Sequence, residues 1–219
     1  GGAGGTPAPA WDWVGIVGTG QSLSVGAEGW PPSQTAQPYG NLKLSLGNAS
    51  VPPFDPQSSE LSLVPLVEPI RTPATSYPSA YPANINGETP HTAMGNQVTA
   101  LAKQNGASDY VTVHTVVGES GQGLNVIQKG ATDTGDTGRA YAATLFEAEA
   151  IAKLAAAQGK SYGIGAIIIT HGETDTGNDQ YEDGLYQLWS DYNADLAALT
   201  GQTQKIPMLV PQQHSVPAD

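Results

Sequence analysis

The sequence has no cysteine and few basic residues. Its 219 residues include 8 lysines and arginines against 20 aspartates and glutamates, a formal net charge of −12. The missing cysteine excludes disulfides, thiolate metal sites and cysteine nucleophiles. The acidic charge repels phosphate backbones and anionic membrane surfaces, so we expect no nucleic-acid partner and instead a neutral, sugar-like or cationic one. No apolar run approaches the roughly 20 residues of a membrane span.

Glycine and proline are abundant, with 27 and 17 copies. Apolar runs nevertheless recur along the chain, which indicates long ordered loops in a folded domain rather than disorder. We expect residues 1–10 to form a flexible tether and residues 11–219 to form one domain. Low lysine content with abundant glycine, threonine, alanine and proline is typical of a bacterial secreted or periplasmic protein.

Strand and helix patterns alternate in the second half of the chain. The predicted strands are residues 13–18, 110–117, 163–170 and 206–210, and the predicted helices are residues 92–105, 139–158 and 181–199. In the first helix, Met94, Val98 and Leu101 form the expected buried face. In the second and third helices the residues expected to face inward include Tyr141, Ile151, Leu188, Tyr192 and Leu196. Such alternation predicts a three-layer α/β/α sandwich with a central parallel sheet, similar to flavodoxin-like folds.

Residues 27–90 interrupt this alternation with a proline-rich loop insertion. Because prolines occur every few residues, the segment is not expected to form a long helix or a central strand. Ordered loops of this length often form a lid or the wall of a binding cleft. The sequence leaves open whether this insertion covers the cleft or lies behind it.

Three short polar segments follow the first three predicted strands. They are Gly18–Gly26, Gly118–Gly123 and His171–Asp175. Since ligands bind beyond the carboxyl ends of parallel strands, all three segments are expected at one rim of the sheet. A serine at a tight turn there can present its hydroxyl to a cleft, and glycines let backbone N–H groups approach an oxyanion.

These segments resemble the conserved blocks of the SGNH family of serine ester hydrolases. Gly20-Gln21-Ser22-Leu23-Ser24 is similar to the first block, with glutamine in place of aspartate, as in the branch that contains sialate O-acetylesterases and carbohydrate acetylesterases. Ser120-Gly121 resembles the second block, and His171-Gly172-Glu173-Thr174-Asp175 resembles the third. The resemblance implies that Ser22 is the nucleophile and that the N–H groups of Ser22 and Gly121 hold the oxyanion.

The chain departs from the family pattern at two points. His171 stands where the branch usually has a glutamine thought to help the oxyanion hole. The last block, Asp-x-x-His, which supplies the general base, is absent, and we expect the last strand and helix to be missing with it. Three explanations remain open: a docked C-terminal fragment supplies Asp and His, the protein is truncated and inactive, or His214 or His171 has taken over as the base.

The remaining candidate residues have supporting roles. Gln21, Glu173 and His214 are predicted to support the site or contact substrate, with Glu173 accepting backbone N–H bonds in its loop. His114 is expected to be a hydrogen-bonded core residue and His91 a loop residue. An acidic cluster at Asp175, Asn178, Asp179 and Asp183 lacks EF-hand spacing and is better explained by helix capping. No metal and no cofactor are expected.

The sequence thus predicts hydrolysis of a carboxylic ester, with an acetyl group on a carbohydrate as the favoured substrate. The carbohydrate rests on the family resemblance and on the acidic, aromatic-bearing loops. A sugar-stacking surface around the cleft and packing in the core or loops explain most of the aromatic residues equally well; they are Trp11, Trp13, Trp30, Tyr39, Tyr77 and Tyr81. Two alternatives remain. One is a non-catalytic SGNH-like module that binds a glycan or a protein. The other is a lipase- or thioesterase-type member, which would need an apolar acyl groove.

Overall fold

The computed structural model describes residues 10–76, 79–130 and 139–211. The strands are β1 (Trp13–Gly20), β2 (Leu42–Ser45), β3 (Ser62–Pro65), β4 (Val111–Val116), β5 (Tyr162–Thr170) and β6 (Met208–Leu209). The helices are α1 (Pro90–Gln104), α2 (Leu124–Ile127), α3 (Arg139–Ala157) and α4 (Tyr181–Thr200). None of the helices in these ranges is long and apolar enough to cross a membrane.

The six strands form one sheet in the order β3-β2-β4-β1-β5-β6. All neighbouring pairs are parallel except β2 and β3, which are antiparallel. Helices flank this sheet, and the predicted α/β sandwich is confirmed. After β1 the chain forms β2, β3 and β4 on one side of that strand and then β5 and β6 on its other side. The topological switch point therefore lies between β1 and β5.

Helices α3 and α4 pack on one face of the sheet. Tyr141, Ile151, Leu188, Tyr192 and Leu196 are buried there with β-strand residues in one continuous core. The periodic pattern predicted both helices and these inward positions, because apolar residues at steps of three and four fall on one side of a helix. Gly201 ends α4 in the left-handed conformation, as expected for a C-terminal glycine.

Helix α1 packs against β4 on the opposite face, and its predicted buried side is wrong. Val98 and Leu101 are 36% and 47% exposed. The buried residues are instead His91, Thr92, Gly95 and Thr99. The apolar pattern failed because this face of the sheet is lined by polar side chains, including His114, that hydrogen-bond to the polar side of the helix.

The proline-rich insertion contributes two strands, β2 and β3, which form an antiparallel pair. The expectation that it contains no central strand is wrong at β2, which lies between β3 and β4. Residues 39–51 contain no proline, so the Leu42–Ser45 segment can donate its ladder hydrogen bonds on both sides.

Candidate active site

Ser22 follows β1 in a tight turn. Residues Ser22–Val25 form a single turn of 3₁₀ helix, and the Ser24 hydroxyl donates to the Gln21 carbonyl at 2.6 Å. Gly20 has φ of +130°, and a Cβ there would lie 2.1 Å from the Thr170 carbonyl oxygen of β5. Only glycine allows this close approach of β1 and β5. The turn therefore holds Ser22 at the switch point of the sheet.

A cleft of about 500 Å³ opens beside Ser22. Its lining residues are Ser22, Leu23, Ala27, Glu28, Asn86 and Glu173. Ser22 is partly exposed, so its hydroxyl is accessible to a bound molecule. The insertion supplies Glu28 and Asn86, and it therefore forms one wall of the cleft.

Gln21 links the first strand-end segment to the third. Its side chain is buried, and Nε2 donates to Glu173 Oε2 at 2.5 Å. Gln21 Oε1 accepts from the Thr174 hydroxyl at 3.2 Å and from the Thr174 N–H at 3.4 Å. Glu173 thus accepts from a side-chain amide rather than from the backbone N–H groups expected. Both side chains lie next to the serine turn.

His171 is buried, and both ring nitrogens have partners. Nε2 lies 3.1 Å from the Gln122 carbonyl oxygen, and Nδ1 lies 3.0 Å from the Tyr181 hydroxyl. Because a carbonyl only accepts, Nε2 carries the proton and Nδ1 accepts from Tyr181. Burial lowers the pKa of His171, while the Gln122 carbonyl and the nearby Asp175 carboxylate oppose that shift. The neutral ring therefore joins the second and third strand-end segments.

Gly121 lies in the second strand-end segment with φ of +73°. Its neighbour Ser120 is buried, and the Ser120 hydroxyl accepts from Asn86 Nδ2 at 2.6 Å. Asn84 Nδ2 donates to the Gly118 carbonyl at 2.7 Å. Within the described ranges, neither the Ser22 N–H nor the Gly121 N–H donates to another protein group. Gly121 and His171 are not among the residues that line the Ser22 cleft.

A buried ion pair lies beside the second strand-end segment. Arg71 Nη1 is 2.9 Å from Glu147 Oε1, and both side chains are nearly inaccessible. Arg71 also donates to Asn84 Oδ1 at 3.0 Å and to the Val116 carbonyl at the end of β4. Burial raises the pKa of Glu147, and the Arg71 guanidinium opposes that shift. This network fixes the insertion, through Arg71 and Asn84, to the carboxyl end of β4.

His91 and His114, the other histidines of the described ranges, make no hydrogen bond to Ser22. His91 and His114 are buried, and their Nδ1 atoms are 3.0 Å apart. His114 was predicted as a core residue, and it is one; His91, predicted in a loop, lies in the first turn of α1. His214 lies outside the described residues. No histidine in residues 10–76, 79–130 and 139–211 hydrogen-bonds to Ser22.

Asp175 stabilises a turn rather than capping α4. Its carboxylate accepts from the Leu124 N–H at 2.8 Å and from Asn178 Nδ2 at 3.0 Å. Residue Gln180 precedes the first turn of α4 and makes no side-chain capping bond. No group of three metal-ligating side chains occurs in the described part of the chain.

Two solved structures share this fold. A protein of Arabidopsis thaliana matches with a TM-score of 0.58 and 15% identity over 91% of this chain and 73% of its own. NanS matches with a TM-score of 0.57 and 13% identity over 94% of this chain and 68% of its own. No protein-family model and no curated protein sequence matches the chain. At these identities the likeness extends to the fold alone.

Asn86 and the Arg71–Glu147 pair were missed by sequence reasoning. Asn86 precedes a glycine in a proline-rich segment, a pattern that indicates only a turn. Arg71 and Glu147 are 76 residues apart, and Glu147 stands among alanines on a helix where a solvent-exposed glutamate is the usual expectation. No signal in the sequence connects either residue to the end of β4.

Proposed function

We propose that the chain is a serine ester hydrolase that uses Ser22 as its nucleophile. The observation that carries this proposal is the position of Ser22: a tight turn at the switch point of a parallel sheet, beside a polar cleft. The Gln21–Glu173 hydrogen bond supports it, because a nucleophile needs a turn held in one geometry.

In the proposed reaction, Ser22 Oγ attacks the ester carbonyl carbon and passes its proton to a histidine. The carbonyl oxygen becomes an oxyanion that the N–H groups of Ser22 and Gly121 stabilise, since neither is used by another described group. Collapse of the tetrahedral intermediate breaks the bond to the alcohol oxygen, which takes the proton from the histidine. Water then attacks the acyl-enzyme by the same steps in reverse, which releases the acid and restores Ser22.

We propose that the general base comes from outside the described residues. His91 and His114 are paired with each other, and both nitrogens of His171 are engaged. We therefore favour His214 or a docked C-terminal fragment that carries an aspartate and a histidine. His171 is better suited to hold the two strand-end segments together.

The substrate we propose is an acetyl ester on a carbohydrate, met in a secreted or periplasmic setting. The cleft carries the carboxylates Glu28 and Glu173 and the amide Asn86, which can hydrogen-bond to hydroxyl groups. A lipase-type function is disfavoured, because Leu23 and Ala27 are the only apolar side chains lining the described cleft. A non-catalytic binding module is the second candidate, favoured by the lack of a hydrogen bond between Ser22 and any described histidine.

Fluorophosphonate labelling followed by denaturing intact-mass spectrometry tests the proposal. Wild-type protein is expected to gain one label, and Ser22→Ala is expected to gain none and to lose at least about 1,000-fold in hydrolysis of p-nitrophenyl acetate. Ser24→Ala is the matched control, because the Ser24 hydroxyl is buried and bonded to Gln21; it should still be labelled.

The same spectra identify the source of the base. A second polypeptide in the spectrum supports the docked fragment, whereas a single chain whose His214→Ala variant loses hydrolysis assigns the role to His214. If His171→Ala retains normal labelling, His171 is not the base. If the wild type neither takes the label nor hydrolyses the ester, the hydrolase proposal is wrong and the binding module replaces it.

A further inference from the structure

Trp30 differs from Trp11, Trp13 and Tyr81 in its exposure to solvent. Its side chain is 64% exposed, whereas Trp13 and Tyr81 are buried in the core. Trp11 packs its ring against Gly163, where a Cβ would lie 2.2 Å from the indole. An exposed indole presents a large, rigid apolar face that can stack on a ligand. Trp30 is the tryptophan available for contact with another molecule in the described ranges.

Trp30 lines a depression that borders the Ser22 cleft. The depression has a volume of about 390 Å³, and its walls include Glu28, Ser33, Glu88 and Pro90. Glu28 also lines the Ser22 cleft, so one residue separates the two spaces. A molecule bound at Ser22 can therefore extend past Glu28 onto the indole of Trp30.

The backbone under Trp30 is held in place by close contact between two segments. Gly29 accepts from the Glu88 N–H at 2.7 Å, and Val25 accepts from the Asn86 N–H at 2.8 Å. A Cβ on Gly87 would lie 2.5 Å from the Gly26 carbonyl oxygen, so this approach requires glycine. The segment that carries Trp30 is thus joined to the segment that carries Asn86 in the Ser22 cleft. A fixed platform binds with a smaller entropic cost than a mobile loop.

The chemistry of the depression favours an uncharged, hydroxylated ring. Glu88 is occupied by its own loop, because it accepts from the Ser33 hydroxyl at 3.1 Å and the Gln34 N–H at 3.2 Å. Glu28 forms no hydrogen bond or ion pair with another described residue, so its carboxylate can accept from a ligand hydroxyl. Glu28 adopts φ of +63°, a conformation that is uncommon for a residue other than glycine. Two carboxylates beside the indole disfavour an anionic ligand.

We propose that Trp30 and Glu28 form a binding subsite for a neutral sugar ring. The C–H face of the ring stacks on the exposed indole, and a ring hydroxyl donates to the Glu28 carboxylate. The position of this subsite next to the ester-bearing unit rests on the proposed function of Ser22. The binding of a sugar ring by Trp30 and Glu28 does not depend on that function.

Isothermal titration calorimetry on the full chain tests the subsite. Cellotetraose, xylotetraose and N-acetylchitotetraose are the neutral probes, and 3′-sialyllactose is the anionic one. The wild type is expected to bind at least one neutral tetrasaccharide and to bind 3′-sialyllactose at least about tenfold more weakly. Trp30→Ala should weaken the neutral probe by about tenfold, and Trp30→Phe, which keeps a ring face, by less.

Tyr186→Ala is the matched control, since Tyr186 is 67% exposed on α4 and packs against Trp189 instead. Its affinity should equal that of the wild type. The proposal is overturned if the wild type binds none of the neutral probes, or if Trp30→Ala binds within twofold of the wild type. A wild type that takes no fluorophosphonate but binds a tetrasaccharide through Trp30 would refute the esterase and leave the subsite standing.

Discussion

Helices α3 and α4 bury apolar side chains against one face of the sheet, whereas helix α1 buries polar ones against the other. Ile151 and Leu188 are fully buried on the first face. On the second face Thr92 donates to Glu68 at 2.9 Å and Thr99 to Asn41 at 2.8 Å. Apolar contact has no preferred direction, so many side chains can fill the first face. The second face requires particular partners, because a buried polar group without one is costly.

The two faces therefore depend on different parts of the chain. Asn41 and Glu68, which satisfy α1, both come from the proline-rich insertion. Lys43, also from the insertion, is buried and donates to the carbonyls of Val67 and Pro69 at 2.5 and 2.9 Å. Burial lowers the pKa of Lys43 to about 8. The insertion is thus a structural part of the polar face as well as a wall of the cleft.

The largest effect should come from the Arg71–Glu147 ion pair on the α3 side. Removing Glu147 leaves Arg71 buried without its counter-charge. Because breaking a buried pair from one side leaves an uncompensated charge, Glu147→Ala is expected to lower the free energy of unfolding by about 3–5 kcal/mol. Urea denaturation followed by circular dichroism measures this loss.

The matched control for that variant is the double substitution Arg71→Met with Glu147→Leu. Replacing both charges by apolar groups of similar volume should recover part of the loss; the remainder reflects the hydrogen bonds that Asn84 and the Val116 carbonyl lose with Arg71. A loss below about 1 kcal/mol in Glu147→Ala would mean that water reaches Arg71, and the pair would then not be the support of the β4 end described above.

The second effect is a pH dependence that comes from the two buried histidines of the polar face. Burial lowers the pKa of His91 to about 4 and holds the pKa of His114 well below its usual range, with the His91 charge as a second cause for His114. The unfolded chain then binds more protons than the folded one between about pH 6.5 and 4. Stability contributed by these histidines is therefore full above pH 6.5 and falls as the pH drops, by about 2 kcal/mol for His91 between pH 7 and pH 5.

The matched measurement compares wild type with His91→Asn and His91→Asn/His114→Asn at both pH values. The readout is the difference between pH 7 and pH 5 within each protein, so a lower absolute stability does not obscure it. Glu68 faces the same region, and burial raises its pKa, which gives stability that is lost as the pH rises. This contribution of Glu68 to the pH dependence of stability has the opposite sign to that of the histidines, and it is common to the wild type and both variants. An unchanged difference in the double variant would contradict the assignment to the histidines.

The sequence predicted the buried residues on the apolar face of the sheet, and it missed the buried residues on the polar face. Steps of three and four placed Ile151, Leu188 and Leu196 inward, because apolar periodicity has the same meaning in any helix of this kind. The same rule placed Leu101 inward and was wrong. Its failure has a physical cause: the partners of α1 come from distant residues such as Asn41 and Glu68, and a helical pattern holds no information about them.

The candidate site divides in the same way. Ser22, Gln21 and Glu173 lie in short segments at strand ends, so their placement together could be predicted from local motifs. Asn86 and Arg71 reach the site through contacts between distant segments, and no local pattern marks them. Local motifs therefore identify residues that a single strand end positions, but they do not identify residues that the packing of the insertion positions.

The smallest effect tests the exposed side of α1. Leu101→Ala removes a side chain that is 47% exposed, and alanine also favours the helix. The free energy of unfolding should therefore change by less than about 0.5 kcal/mol. Leu188→Ala makes the same change at a fully buried position of α4 and should lose about 2–5 kcal/mol through the cavity it leaves. Urea denaturation of the pair compares the two faces directly. Equal losses would show that Leu101 is covered in solution and that α1 has a second apolar contact.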